Sequence, residues 1–271
     1  MEKLSINKLF IIAGVIFFGI TNCYSQNESE NINTLIEQKI VNQINKLRNL
    51  HRKSIEKKRY SIKKKCNSVW YGNTYGGFFV YPDLLDEYSI VYSIGIGCDV
   101  SFDMEIIKQH NSRVYGFDPT PKSINWVSRN TLPVQFKFFD FGISKKTGTE
   151  VFHLPKNSDY VSGSVFQHAN LSEFETVEVR MKSFQDIIWE LGHKKIDILK
   201  MDIEGSEYDV IDSILNSDVR IDQILIEFHE RFFDDGFNKT MDAIKKIEKK
   251  GYKLFGISES KEELSFILNL K

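Results

Sequence analysis

The chain has 271 residues, 41% of them hydrophobic and 27% charged, which suits one α/β domain with a short extension. A formal net charge of −1 excludes the global basic field by which nucleic-acid binders collect phosphate. Cys23, Cys66 and Cys98 have no metal-ligand spacing and make no even disulfide framework.

Residues 1–25 read as a signal peptide or short membrane anchor. Lys3 and Lys8 precede an apolar stretch from Leu9 to Ile20. The stretch is shorter than the roughly 20 residues of a membrane span and typical of a signal h-region. Cys23 and Ser25 give a small-x-small pattern that favours cleavage before Gln26. Residues 26–66 read as a helical, basic stem. Ile32, Leu35, Ile36, Ile40, Ile44 and Leu47 recur at helical spacing, and Lys and Arg crowd the stretch from Arg48 to Lys65. Such a run either touches anionic lipid or nucleic acid or is simply solvated, and the solvated stem is preferred. The expectation is a membrane-associated or exported protein, with a cytoplasm-facing domain left open.

Residues 67–271 carry a globular texture. Strands are predicted at Ile90–Ile94, Arg113–Phe117, Val134–Phe139, Ile196–Met201, Gln223–Phe228, Tyr252–Ile257 and Leu264–Leu268. Helical patterns lie at Phe102–His110, Ser123–Asn130, Phe184–Leu191, Glu207–Leu215 and Lys239–Lys249. Alternation of strand and helix predicts a mostly parallel sheet with helices on both faces. Ser258 to Glu263 is too short for a crossover helix, so the last two strands form an antiparallel hairpin. The predicted fold class is α/β, with the Rossmann-like sheet of the class I methyltransferases.

The run Tyr92-Ser-Ile-Gly-Ile-Gly-Cys-Asp99 followed by Val114-Tyr-Gly-Phe-Asp-Pro119 is the strongest local signal. Gly95 and Gly97 let backbone approach a ligand at the tip of a first strand. Asp118, about twenty residues on at the end of the next strand, is placed to take both hydroxyls of a ribose. Ser101 reads as the N-cap of a helix whose N-terminus favours a carboxylate, and Asp99 and Asp103 read as ammonium partners or helix-start acids. Asp140 ends the third strand, where this fold places an acid near adenine, with Phe139 or Phe141 to cover the ring.

Across about Tyr75 to Leu270 the chain resembles the FkbM-type methyltransferases. The likeness is carried by Tyr75-Gly-Gly77, Tyr92–Asp99, Phe117-Asp-Pro-Thr-Pro-Lys-Ser123, Phe141-Gly-Ile-Ser144, Leu199-Lys-Met-Asp-Ile-Glu-Gly-Ser-Glu207 and Ile226-Glu-Phe-His229. It implies S-adenosyl-L-methionine as cofactor and a hydroxyl as methyl acceptor, on a glycan or small molecule, with no nucleic-acid partner. Common members read Asp-x-Gly-Ala-Asn-x-Gly in the first motif. Here Ser93 stands at the acid, Gly97 at the Asn and Asp99 at the last Gly. A closer-looking subgroup implies that Asp99 or Asp103 binds the cofactor's ammonium. Two rivals are an exported, non-catalytic ligand-binding domain of this fold and an NAD-dependent oxidoreductase. A missing third glycine disfavours the latter.

Lys200 and Asp202 lie two apart on a predicted strand and therefore point the same way. A buried ammonium needs a partner, which predicts pairing of Lys200 with Asp202, Glu204 or Glu227. Glu227 and His229 repeat the two-residue spacing on the next strand. Asp202, Glu204, Glu227 and His229 thus converge on one rim, as a general base with an orienting carboxylate or as a divalent-cation site. The base reading, Asp202 with His229, is preferred, and Asp202 also borders the cofactor. His153, His168 and His193 read as surface residues, and Val161-Ser-Gly-Ser164 as part of a lid.

Overall fold

A short antiparallel hairpin, β1 (Val69–Tyr71) and β2 (Phe78–Val80), opens the part of the chain that this computed structural model describes, residues 61–155 and 171–269. The expected leader, most of the stem and Val161–Ser164 lie outside the described residues. β3 (Ile90–Ile94), α1 (Ser101–His110), β4 (Arg113–Phe117), α2 (Pro121–Arg129) and β5 (Phe136–Phe139) follow. A small sheet comes next, from β6 (Gly142–Ser144), β7 (Gly148–Pro155) and β8 (Leu171–Ser183). Beyond it lie α3 (Phe184–Leu191), β9 (Lys195–Met201), α4 (Glu207–Leu215), β10 (Arg220–Glu227), α5 (Gly236–Lys249), β11 (Tyr252–Ile257) and β12 (Glu263–Leu268).

Seven strands form one sheet in the order β11-β12-β10-β9-β3-β4-β5. β12 alone runs against its neighbours, as the short link before it requires. Several predicted ends shift by a turn. Phe136 N–H closes a turn on Pro133 O at 2.9 Å, so Val134 stays outside β5. α2 begins at Pro121, whose fixed φ suits a first helical turn, behind a Thr120 side-chain cap.

Alternate residues of the central strands supply two apolar layers. Tyr92, Ile94, Leu199 and Met201 pack with Val210, Ile211 and Ile214 of α4 on one face. Val91, Val114, Ile198 and Leu225 pack with Phe102 and Ile106 of α1 and with Phe78 and Val80 of the hairpin on the other. A parallel sheet covered on both faces needs this continuous apolar run.

β3 and β9 stay paired up to their tips because Gly95 has no side chain. Gly95 has φ +77, and a Cβ there would lie 1.7 Å from the Asp202 carbonyl oxygen. Gly95→Ala should therefore lower the unfolding free energy by at least about 3 kcal/mol. Gly148→Ala, where a Cβ would meet nothing within 4 Å, should stay within about 0.5 kcal/mol. Denaturant titration of both variants compares them directly; equal, small shifts would show that the β3–β9 junction tolerates a side chain.

Candidate active site

Both neighbours of β3 converge on its tip. Gly95 N–H donates to Phe117 O at 2.9 Å, and Asp202 N–H donates to Ile94 O at 3.0 Å. Gly97 follows at φ +55, and its N–H donates to Asp118 Oδ2 at 2.9 Å. Asp118 Oδ1 accepts from the Thr120 N–H at 2.9 Å and from the Thr120 hydroxyl at 2.6 Å. Three of the roughly four lone-pair positions of this carboxylate are thus used inside the protein. The sequence reading gave Asp118 both hydroxyls of a ribose; this geometry leaves it one acceptor position. Burial pushes its carboxyl up from the usual range, against the pull of those hydrogen bonds.

Gly95, Gly97, Asp99, Asp118, Asp202 and Glu204 line one cavity of about 260 Å³, near the lower end of small-molecule sites. The N-cap of α1 is Val100, not Ser101, and its side chain makes no cap. Asp99 does that work: its Oδ1 accepts the Ser101 N–H at 2.8 Å and its Oδ2 accepts from Asn73 Nδ2 at 2.6 Å. The anion position at the start of α1 is therefore filled by the chain's own carboxylate. Ser101 Oγ accepts the Asn73 N–H at 3.0 Å and Glu105 accepts the Gly72 N–H at 2.9 Å. α1 so holds the hairpin turn, whose Tyr75 and Gly76 also line the cavity.

Lys200 does not pair as expected. β9 ends at Met201, so the two-residue alternation stops before Asp202. Lys200 shares the α1 face with Ile198, is 4% exposed, and donates to Gly95 O at 2.8 Å. The buried acids that feel its charge are Asp103, itself 1% exposed on α1, and Asp118. Burial pushes the Asp103 carboxyl up to about 6, the Lys200 ammonium and the Ser93 hydroxyl pull it down, and Asp99 pushes it up. Ser93 stands opposite Lys200 in the β3–β9 register. Asp103 is thus an internal acid behind the glycine turn, outside the cavity wall. Asp140 is also outside that wall, exposed and paired with Arg180. Phe139 and Phe141 stack around Phe117 instead. The wall in their place comes from the small sheet: Gly142 and Ile143 of β6, Phe152 of β7 and Met181 of β8. His193 is half-buried and hydrogen-bonds the Tyr92 hydroxyl at 2.7 Å, so it is no free surface residue.

The rim expected at the ends of β9 and β10 is present. His229 is 1% exposed, with Nε2 at 3.3 Å from Glu204 Oε2, 3.4 Å from Glu227 Oε1 and 3.7 Å from Asp202 Oδ1. Its orienting group is Glu207, which sequence reasoning left as a helix start. Glu207 Oε1 lies 2.8 Å from Nδ1 and also accepts the Ile203 and Gly205 N–H groups at 3.2 Å each. Glu204 reaches the rim from a left-handed backbone at φ +52, rare for a residue with a Cβ. Burial opposes the charged imidazole, but Glu207, Asp202 and Glu204 together raise the His229 pKa well above its ordinary range. Burial and the Asp202 charge raise Glu227 in turn. The carboxylates around it thus favour the charged imidazole over the neutral one.

A parallel sheet with one reversed strand next to its edge, and a cleft where the strand order turns back between β3 and β9, define a class I methyltransferase fold. The chain belongs to the FkbM methyltransferase family: the Methyltransferase FkbM domain matches residues 93–254, more than half of its length. The 2-O-methyltransferase NoeI of Sinorhizobium fredii is 31% identical over 134 residues, 44% of this chain and 55% of that protein. The human probable methyltransferase-like protein 24 is 23% identical over 175 residues, 61% of this chain and 41% of that one. The chain thus spans about half the length of these curated relatives. Among solved structures, the Methanococcus jannaschii fibrillarin pre-rRNA processing protein aligns with a TM-score of 0.40 at 12% identity over 69% of each chain.

The buried acid behind the cleft gives a pH signature. The folded pKa of Asp103, about 6, lies above its ordinary 3.8. Its contribution is therefore fully present below about pH 4 and lost as pH rises through 6. Wild type should gain about 2 kcal/mol relative to Asp103→Asn between pH 7.5 and pH 4.5. Guanidinium unfolding of both proteins at the two pH values measures it; a gap independent of pH would mean that Asp103 ionises freely in the folded state.

Proposed function

We propose that this chain transfers a methyl group from S-adenosyl-L-methionine to a hydroxyl of a glycan or small-molecule acceptor. The observation that carries the reading is one cleft with a glycine turn hung on Asp118 at one side and acids of adjacent strand ends at the other. Among the described residues that line the cleft, Lys200 is the only Lys or Arg, and it is turned toward α1. A cleft lined by Asp99, Asp118, Asp202 and Glu204 suits a sulfonium cation. When bound, the cofactor supplies an electrophilic methyl group. Asp118 keeps one acceptor position for a ribose hydroxyl, Asp99 suits the ammonium, and Ile143, Phe152 and Met181 offer an apolar wall for the base. The name of the Sinorhizobium relative, a 2-O-methyltransferase, supports a hydroxyl as acceptor.

For the acceptor proton the rim supports two readings. Asp202 or Glu204, which border the cleft, act as general base with His229 holding their orientation, or the rim holds a divalent cation. The leader read from residues 1–25 supports delivery to a membrane or export. Fractionation of cells making the full chain against one lacking those residues tests that delivery, and identical distributions would end it.

Purified chain incubated with methyl-labelled cofactor and a glycan panel should release S-adenosylhomocysteine together with labelled acceptor. Cofactor binding without any product would favour the non-catalytic domain. Asp118→Ala should weaken cofactor binding by about 1–3 kcal/mol, the scale of lost charge-assisted hydrogen bonds. Calorimetry giving wild-type affinity for the folded variant would take Asp118 out of the site.

A further inference from the structure

We infer that Asp202, Glu227 and His229, with Glu204 beside them, form a divalent-cation site of the Mg²⁺ or Mn²⁺ class at the acceptor end of the cleft. The ligand atoms of Asp202, Glu227 and His229 all lie within 4.8 Å of one another. An ion about 2.1 Å from each ligand sets neighbouring ligands about 3.0 to 3.4 Å apart and opposite ones about 4.2 Å apart. The 3.3 and 3.4 Å separations of Glu204 and Glu227 from Nε2 are those of neighbouring ligands, and Asp202 at 3.7 Å would close by a few tenths of an ångström on an ion.

The imidazole separates this rim from an ordinary patch of surface acids. His229 is 1% exposed, and Glu207 holds Nδ1 at 2.8 Å while Nε2 faces the three carboxylates. A buried carboxylate on the far nitrogen is the arrangement that orients a metal-ligating histidine and makes it a better donor. With no cation, the Nε2 N–H and the Arg231 guanidinium, 3.8 Å from Glu227 Oε1, face these carboxylates. Glu207 Oε2 adds a buried acceptor that has no hydrogen-bond partner. A dication would draw the Asp202 and Glu227 carboxylates and Nε2 to one centre, with Glu204 at its edge. Three carboxylate oxygens and one imidazole are a hard to borderline set, which suits Mg²⁺ or Mn²⁺ and not a soft ion. Only the cation's role rests on the methyl-transfer reading: an acceptor oxygen on one of its open positions would ionise more readily.

Mn²⁺ alone is the probe. The full-length, chelator-stripped chain is titrated with MnCl₂, and free Mn²⁺ is followed by its electron paramagnetic resonance signal. One saturable site per chain is expected, weakened at least tenfold in Glu227→Gln and in Asp202→Asn and unchanged in Glu190→Gln, a residue paired with Lys182. The two carboxylate variants carry the test because both side chains are partly exposed, and circular dichroism melting confirms that they fold. Absence of saturable binding in the wild type, or wild-type affinity in both carboxylate variants, would overturn the site. Cofactor binding is measured on the same samples without metal: its loss alone sinks the methyl-transfer reading and leaves the cation site standing.

Discussion

The architecture of the cleft depends on how closely two parallel strands can run side by side to their ends. Ile94 and Met201 are still register partners, the Asp202 N–H still bonds the Ile94 carbonyl, and the next residue on β3 has no side chain. At this junction the chain passes outward from β3 to β4 and β5, then returns on the other side through β9. α1 leaves toward one apolar layer and α4 toward the other. Two departing helices with nothing between them open a crevice, and the chemistry-bearing residues sit on its lips. Without the close approach at Gly95, the glycine turn and the acidic rim would face different spaces.

The second organising device is a carboxylate turned inward. Asp118 ties Gly97 to Thr120, and Asp99 ties the start of α1 to the hairpin turn. Both acids border the cavity while spending half or more of their acceptor capacity on the protein. The loop is therefore preorganised by charge-assisted bonds, which leaves a ligand fewer groups to order on arrival. The same economy holds at the rim, where Glu207 accepts two backbone N–H groups and still orients His229.

Much of this was legible in the sequence. The central strands are short apolar runs bounded by turns, and all seven were placed within a few residues, including the reversed β12. The convergence of Asp202, Glu204, Glu227 and His229 was expected from two-residue spacing, but it is the side-by-side ends of β9 and β10 and the loops just past them that produce it. The small sheet was missed although Val177, Val179 and Met181 alternate with Glu178, Arg180 and Lys182, the period of a one-sided antiparallel strand. Its partners are distant in sequence, and a search for continuous apolar runs passes over alternation. Lys200 was expected to pair with a rim acid because strand parity was carried one residue past the end of β9; its ammonium bonds the Gly95 carbonyl instead. Glu207 escaped notice because an acid at a helix start already has a sufficient local reason to be there. Asp140 was placed by analogy with the fold, and only the tertiary contact with Arg180 draws it away.

The burial of Lys200 and Asp103 within reach of each other's charge also constrains how such a chain can change. The first-motif acid common in the family would fall at position 93, directly across the register from the Lys200 ammonium. Here position 93 is a hydroxyl, and α1 delivers the carboxylate from position 103 to the same buried place. Two carboxylates there would repel each other out of water, and none would strand the ammonium. Positions 93 and 103 are therefore epistatic: a lineage exchanging one arrangement for the other must pass through a doubly acidic or an acid-free intermediate. The choice of acid at the tip of the first strand is inherited as a pair.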